Sequence, residues 1–323
     1  MSLMRELSVT EITKNIREMC IEANYYIESD VKAAIQAARL SENSDVGRSV
    51  LEQLDINMEI AENERIPVCQ DTGITVVFLD VGQDVHFTDG DITEAVNEGV
   101  RQGYEEGYLR KSVVDDPILR KNTGDNTPAI IHFNIVPGDK VGITVAPKGF
   151  GSENTSRIFM LKPADGIEGV KAAVVETARA AGPNACPPFV VGVGIGGDFE
   201  KCAIMAKRAL TRSISDPDAA AGHKDTSLQG TVSGVYGGYS AGSDELKDKP
   251  LNLCEGHGRK EYVRDLEKEL LQLVNETGLG PAGLGGSVTA LAVNVETFPT
   301  HIAGLPVAVC MCCHVNRHKY REL

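Results

Sequence analysis

Residues 185–210, "ACPPFVVGVGIGGDFEKCAIMAKRAL", decide the fold class because glycines join an apolar run to an amphipathic pattern. The run "PFVVGVGIGG" predicts a buried strand, and "DFEKCAIMAKRAL" predicts a helix. Gly192, Gly194 and Gly197 satisfy the G-x-G-x-x-G pattern between a strand and a helix, which is the context of a dinucleotide-binding turn. The motif stands alone, because an irregular segment follows instead of further alternating strands and helices. We therefore expect a tight turn that packs against a cofactor or substrate, with a nucleotide-binding oxidoreductase as an alternative.

The rest of the chain predicts a mixed α/β fold, in which a helical N-terminal region precedes a mixed sheet flanked by helices. Ser8 to Glu11 have the form of a capping box, and a second amphipathic helix is predicted over about residues 49–63. Apolar runs such as "ITVVFLDVG" and "AIIHFNIVPGDKVGITVAP" predict strands. The sequence shows no internal repeat and no second-domain boundary, so we expect a single domain over residues 1–323.

Two segments fall outside this pattern. Residues 216–258 are rich in glycine and serine and lack periodicity, which is typical of a surface insertion or lid. Residues 1–3 resemble an expression scar, and no signal-peptide profile follows them. Because no apolar run approaches the ~20 residues that cross a bilayer, we expect a cytoplasmic protein.

The acidic composition narrows the choice of partners. The 323 residues carry a formal net charge of −14, which disfavours nucleic acid and anionic membranes because both attract basic patches. A small anionic substrate stays compatible with this charge, since a few arginines reverse the local sign in a cleft. The hydrophobic fraction of 42% is enough for a substantial core.

The eight cysteines are expected to be core residues or metal ligands, because the cytosol keeps thiols reduced. Cys20 and Cys202 lie in amphipathic helices and are predicted to be buried, whereas Cys254 in the insertion has no predicted role. Cys69 and Cys186 stand in loops bounded by proline and glycine, where a rigid turn can aim a thiolate into a cleft.

A terminal cluster holds the other three cysteines, Cys310, Cys312 and Cys313. Its C-x-x-C-H pattern matches covalent haem attachment, and its spacing also permits a zinc or an iron–sulfur site. Structural zinc usually takes C-x-x-C pairs, which are absent before residue 310. Three isolated loop thiolates, one of them from this cluster, instead suit a cubane iron–sulfur cluster with one iron that lacks a protein ligand. Such an iron is a Lewis acid for carboxylate and hydroxyl groups.

A resemblance to a known family covers nearly the whole chain. It is carried, in order, by "IPVCQDTG", "LRKSVVDDPILRKNTGDNTPAIIH", "VAPKGFGSEN", "LKPADGIEGVK", "AGPNACPPFVVGVGIGG", "GLGPAGLGG" and "NVETFPTHIAGLPVAV". These blocks resemble the α-type chain of the class I iron–sulfur hydro-lyases, in particular two-subunit fumarate hydratase. By this resemblance Cys69, Cys186 and Cys313 ligate a [4Fe–4S] cluster, and Cys310 and Cys312 are packing residues.

The resemblance also implies a reaction and a set of site residues. The reaction is the reversible hydration of fumarate to malate, with L-tartrate or another hydroxydicarboxylate as the alternative substrate. The implied catalytic residues are Asp71 and His301, and the implied substrate-binding residues are Gln70, Arg110, Gly151 and Ser152.

Partners follow from the same resemblance. A separate β-type chain would supply further arginines, a lysine and a threonine, so the isolated chain is expected to bind a cluster but to hydrate fumarate poorly. The expected assembly is a homodimer or an α2β2 complex. Because part of the site would come from that second chain, a non-catalytic metal-binding or assembly subunit is an alternative of another class. Residues 216–258 depart from the family pattern.

Overall fold

The computed structural model describes residues 4–215 and 261–323. The predicted insertion at 216–258, with Cys254, and the predicted scar at 1–3 lie outside the described residues. Within the described part of the chain, no helix combines the length and the apolar character needed to cross a membrane.

The described chain contains eight α-helices and ten strands. The helices are α1 Val9–Tyr25, α2 Ser29–Ser41, α3 Asp45–Glu64, α4 Ile92–Glu106, α5 Phe150–Glu153, α6 Gly166–Ala181, α7 Phe199–Ala209 and α8 Glu261–Asn275. The strands are β1 Arg5–Ser8, β2 Ile74–Gly82, β3 Val85–Thr88, β4 Ile130–Val136, β5 Val141–Lys148, β6 Arg157–Leu161, β7 Phe189–Gly197, β8 Ala290–Thr300, β9 Leu305–Cys312 and β10 Lys319–Glu322.

The first sheet has the strand order β10-β5-β2-β4, with β2 parallel to β4 and antiparallel to β5. Its central strand β2 is almost completely buried, as its continuous apolar run predicted. Helices α1 and α4 supply the facing core, which includes Ile16, Val100 and Tyr104. These two helices approach closely at Gly99, where a Cβ atom would lie 2.7 Å from the Thr13 carbonyl oxygen.

The second sheet has the strand order β6-β9-β7-β8, with β7 parallel to β8 and antiparallel to β9. One face packs on α6 and α8, and the other face packs on α7. Cys202 of α7 is fully buried there, and Cys20 of α1 is buried in the first core, so both predictions of a core role are confirmed.

The glycines of the opening motif are packing residues of β7. A Cβ atom at Gly192 would lie 2.0 Å from the Ala206 carbonyl oxygen, and one at Gly194 would lie 2.0 Å from that of Cys202. Only Gly196 and Gly197 have positive φ, at 92° and 69°. The expected turn is therefore confined to the end of the motif, and the other two glycines let α7 approach the strand.

The mixed α/β fold class is confirmed, with one difference in architecture. The described strands form two four-stranded mixed sheets and a short β1-β3 pair, where the sequence predicted one mixed sheet. Residues 313–318 cross from β9 of the second sheet to β10 of the first sheet. The crossing segment is largely buried, which places the terminal cysteine cluster between the two sheets.

Candidate metal and substrate site

Three cysteine loops meet where the two sheets adjoin. Cys69 precedes β2, Cys186 precedes β7, and Cys313 follows β9. The backbone N–H of His314 lies 3.4 Å from the Cys186 carbonyl oxygen, and its Nδ1 atom lies 3.1 Å from the same oxygen. Cys69 and Cys313 pack against one apolar cluster that includes Val315. The fold thus brings together the three cysteines that the sequence singled out.

The loop of Cys186 is held in an unusual backbone conformation. Cys186 has a φ of 52°, in the left-handed region that β-carbon-bearing residues rarely adopt. Its N–H donates to the Pro183 carbonyl oxygen at 3.0 Å. The turn at Pro281–Gly283 packs beside it, since a Cβ atom at Gly283 would lie 2.7 Å from Cβ of Pro183. These contacts keep the Cys186 side chain exposed at the mouth of the site.

Glu42 anchors the glycine-rich segment that supports this loop. Its buried carboxylate accepts hydrogen bonds from the backbone N–H groups of Ser44, Ser287 and Val288, at 2.8 to 3.0 Å. Burial raises the pKa of Glu42, but these donors outweigh burial and hold the pKa below its usual value. The buried Glu42 carboxylate therefore connects the backbone directly after the "GLGG" segment to the start of α3.

The sulfur atoms of the site influence one another electrostatically. Burial raises the pKa of Cys186, and negative charge on Cys313, Cys69 and Asp71 raises it further. A hydrogen bond from the Cys312 thiol lowers the pKa of Cys313 well below its usual range, against the effect of burial. The same bond and burial raise the pKa of Cys312.

The donor set matches a polynuclear centre better than a single ion. Among the described residues, no three His, Cys, Asp or Glu side chains converge closely enough to bind one metal ion. A zinc ion would need all its thiolates at ~2.3 Å. A cubane cluster accepts one cysteine on each of three irons, so its ligands stand farther apart.

Asp71 and Gln70 lie beside Cys69. The Cys69 thiol is 3.4 Å from Oε1 of Gln70, and the N–H of Asp71 lies 3.4 Å from the Cys69 sulfur. The Asp71 carboxylate accepts from the N–H of Gly73 at 3.0 Å and from that of Phe150 at 2.8 Å. This side chain therefore joins the Cys69 loop to the start of α5, and it lines the same junction as the cysteines.

Arg110 is placed against the same loop, with an exposed side chain. Thr72 Oγ1 donates to the Arg110 carbonyl oxygen at 2.9 Å. Buried Asn126 bridges the two segments, because its Nδ2 donates to Gly73 O at 3.1 Å and its Oδ1 accepts from Ser112 N at 2.7 Å. Asn126 is a positioning residue that sequence reasoning missed, although it stands in the quoted "DNTP" block.

Gly151 and Ser152 belong to α5, which packs beside the Cys186 loop. A Cβ atom at Gly151 would lie 3.5 Å from the Asn184 carbonyl oxygen. Ser152 is 4% exposed, and its hydroxyl accepts from Nζ of Lys148 at 2.8 Å. The Ser152 side chain is thus turned inward, and only the backbone of this helix faces the junction.

Lys148 is a second residue that sequence reasoning missed. It ends β5, is 5% exposed, and forms an ion pair of 3.3 Å with Glu153. Burial lowers the pKa of Lys148, but negative charge on Cys312, Cys310 and Glu153 outweighs burial and raises it. The run "VAPKG" contains no signal that this lysine is buried beside thiols, because that contact comes from the distant strand β9.

His301 is not brought to the cysteines within one chain. It follows β8 and precedes β9, whereas Cys186 precedes β7 and Cys313 follows β9. Because β7 and β8 are parallel, His301 lies at the opposite end of the strands of the second sheet. Residues Val190 to Gly197 of β7 span the distance between these two ends, which is roughly 23 Å at ~3.3 Å per residue.

The sequence of the chain is similar to those of known proteins. The family model described as fumarate hydratase (Fumerase) matches residues 13–322. The chain is 37% identical over 319 residues to a protein of Methanocaldococcus jannaschii named putative L(+)-tartrate dehydratase subunit alpha, covering 97% of this chain and 98% of that one. It is 26% identical over 316 residues to the L(+)-tartrate dehydratase subunit alpha of Escherichia coli K12, covering 97% and 91%. The chain therefore belongs to the fumarate hydratase family and is a hydro-lyase.

Proposed function

We propose that this chain is the α subunit of a [4Fe–4S] hydro-lyase that interconverts fumarate and malate together with a separate β-type chain. The observation that supports this most is the convergence of the Cys69, Cys186 and Cys313 loops at one open junction. Arg110 and Asp71 stand on the same junction. The proposal treats residues 1–323 as one catalytic domain.

The cluster would be held by Cys69, Cys186 and Cys313. When bound, it supplies a Lewis-acidic iron to a substrate carboxylate and hydroxyl. The side chains of the junction would do the rest. Arg110 would hold the remote carboxylate through a bidentate pair, which a guanidinium forms better than an ammonium. Asp71 would accept a hydrogen bond from the substrate hydroxyl and so position it for elimination.

Substrate positioning would fall to two further groups. The exposed amide of Gln70 follows Cys69 directly and can donate to a carboxylate oxygen. The backbone at Gly151 and Ser152 would line the pocket on the side of the Cys186 loop, where a side chain at Gly151 would occupy space meant for substrate. A small residue at this position keeps the junction open.

The substrate has a second candidate. Both relatives named above carry the name L(+)-tartrate dehydratase subunit alpha, which favours L-tartrate as the substrate of this chain. Malate and tartrate dehydration share the two carboxylates and the expelled hydroxyl, so the same residues serve both. Steady-state kinetics on malate and L-tartrate with the cognate β-type chain would separate the two candidates.

The position of His301 bears on the assembly. If His301 contacts substrate, it must come from a second copy of the chain, because roughly 23 Å separate it from the cysteines of its own chain. A dimer, alone or within an α2β2 complex, would bring His301 of one copy to the cysteines of the other. The names of both relatives contain the word subunit, which supports an assembly with a β-type chain.

The first test is the iron and acid-labile sulfide content per chain after anaerobic reconstitution. We expect the parent protein and Cys312→Ser to retain the cluster, and Cys313→Ser to lose it. Equal loss in Cys312→Ser and Cys313→Ser would contradict the assignment of the ligand.

A second test addresses the alternative of a non-catalytic subunit. With the β-type chain present, Asp71→Asn is expected to abolish turnover while the iron content stays unchanged. Full activity of that variant would favour a metal-binding or assembly role instead.

A further inference from the structure

Arg317 is a buried cation in the segment that crosses between the two sheets. The residue is 4% exposed. Its Nε donates to the Pro147 carbonyl oxygen at 3.2 Å, and its Nη2 donates to the carbonyl oxygen of Asp71. The third nitrogen, Nη1, is buried and has no hydrogen-bond partner among the described residues. Hydrogen bonds therefore hold Nε and Nη2 of the guanidinium, whereas Nη1 has no acceptor among the described residues.

Within residues 4–215 and 261–323, Arg317 forms no ion pair with a carboxylate, and its positive charge acts on the nearby Cys313 thiol, whose pKa it lowers. Arg212 is similarly buried, and it pairs with the carboxylates of Glu267 and Glu296 at 3.1 Å. Arg317 has only neutral carbonyl partners in the described chain. Burying a cation without an anion is expensive, so this position calls for a negative group.

The location of Arg317 indicates which negative group that is. It follows Cys313 by four residues, and its Nη2 binds the carbonyl of Asp71, two residues after Cys69. The guanidinium thus bridges two of the three cysteine loops. Three thiolates outweigh the two positive charges of an oxidised [4Fe–4S] core, so the bound cluster carries net negative charge and sulfur acceptors.

A single water molecule is the competing explanation. A cavity of about 20 Å³, lined by Lys148, Lys207, Cys312, Asn316 and Arg317, is large enough for one water. Such a water would satisfy Nη1 but would supply no negative charge. The cluster satisfies both requirements.

We infer that Arg317 is a positioning residue for the cluster, whose Nη1 donates a hydrogen bond to a cluster sulfur while the guanidinium ties the Cys69 and Cys313 loops together. This inference rests on the proposed function. Because a hydrogen bond and a positive charge favour the reduced cluster, Arg317 raises the reduction potential and slows the loss of iron.

The test compares Arg317→Gln and Arg317→Lys with the control Lys319→Gln in the full-length chain after anaerobic reconstitution. Lys319 is matched, because its Nζ also donates to a backbone carbonyl, that of Tyr26 at 2.9 Å, in the same terminal segment. The readouts are the reduction potential of the cluster, the rate of iron release to a chelator, and Tm before and after reconstitution.

For Arg317→Gln we expect a negative shift of the potential, and iron release faster by about 10- to 100-fold. The gain in Tm on reconstitution shrinks as well. Arg317→Lys is expected to shift the potential less than Arg317→Gln does, because lysine keeps the positive charge but lacks the paired N–H donors of the guanidinium. Lys319→Gln keeps the potential and the iron-release rate of the parent, and any loss of Tm from its ion pair with Glu28 is the same before and after reconstitution.

Two results would overturn the inference, and they differ in what else they overturn. If Arg317→Gln loses stability equally with and without the cluster and keeps the parent potential and iron-release rate, the arginine serves only the fold or binds only a water. The proposed function survives that result. If the parent itself holds no cluster, alone or co-expressed with a β-type chain, the proposed function and this inference fall together.

Discussion

Gly194→Ala tests whether the glycine motif serves packing or nucleotide binding. The added Cβ would lie 2.0 Å from the Cys202 carbonyl oxygen and 2.8 Å from the Ala206 backbone nitrogen. Both atoms belong to the backbone of α7, so no side chain can rotate away, and the helix must move outward by about 1 Å to reach ordinary contact distances.

The expected magnitude follows from this displacement. Overpacking a dense core costs about 1–3 kcal/mol, and this site belongs at the upper end because Val190, Cys202 and Ala206 around it are at most 1% exposed. The reduced entropy of the unfolded chain returns about 0.5 kcal/mol. We therefore expect a loss of about 2–3 kcal/mol, which lowers Tm by about 3–4 °C.

The assay is thermal and urea unfolding followed by circular dichroism, with NAD(P) titrations in parallel. Gly151→Ala is the matched control, since its Cβ would meet only the Asn184 carbonyl oxygen, at 3.5 Å. It is expected to change stability by less than about 0.5 kcal/mol. Parent-like stability of Gly194→Ala, or NAD(P) binding by the parent that this variant abolishes, would refute the packing argument.

Three further predictions concern the site and its support. Arg110→Lys is expected to lower kcat/KM by roughly 10- to 100-fold with unchanged iron content, because the bidentate pair is lost; an unchanged kcat/KM would remove Arg110 from the substrate site. Glu42 has a lowered pKa in the folded chain, so its stabilisation is present above the ordinary carboxyl range and is lost as pH falls through the lowered value. Acid unfolding should therefore be less steep in Glu42→Gln, and a parent-like pH dependence would contradict this. Two inactive variants, His301→Asn and Cys69→Ser, should regain turnover when co-expressed as mixed oligomers with the β-type chain, whereas no recovery would place His301 outside the site.

The local pattern predicted individual elements well. The start of α1 after Ser8, the helix predicted over about residues 49–63 and the strand β2 all lie where the sequence indicates. Residue periodicity and caps depend on neighbours a few positions away, so they are readable without the fold. Ser8 caps α1 as expected, but its side chain accepts from the N–H of Thr10 instead of forming the reciprocal bonds with Glu11 that a capping box requires.

The motif glycines show where such local reading stops. G-x-G-x-x-G specifies close approach of a backbone, but it does not say whether a nucleotide or a helix makes that approach. The contact between Gly194 and α7 decided this, and it depends on how β7 and α7 pack in three dimensions. The order β10-β5-β2-β4, in which β2 separates β4 from β5, was likewise beyond local pattern.

By itself, the sequence determined the fold class, the core roles of Cys20 and Cys202, and the short set of loop residues that resemble a hydro-lyase site. Only the tertiary structure decided how these residues meet. It brought the Cys69, Cys186 and Cys313 loops to one junction, left His301 at the far end of the strands of the second sheet, and buried Arg317 with its Nη1 atom lacking a hydrogen-bond partner among the described residues. The physical reason is that identity and periodicity are local properties of a chain, whereas burial and charge compensation depend on residues more than a hundred positions away.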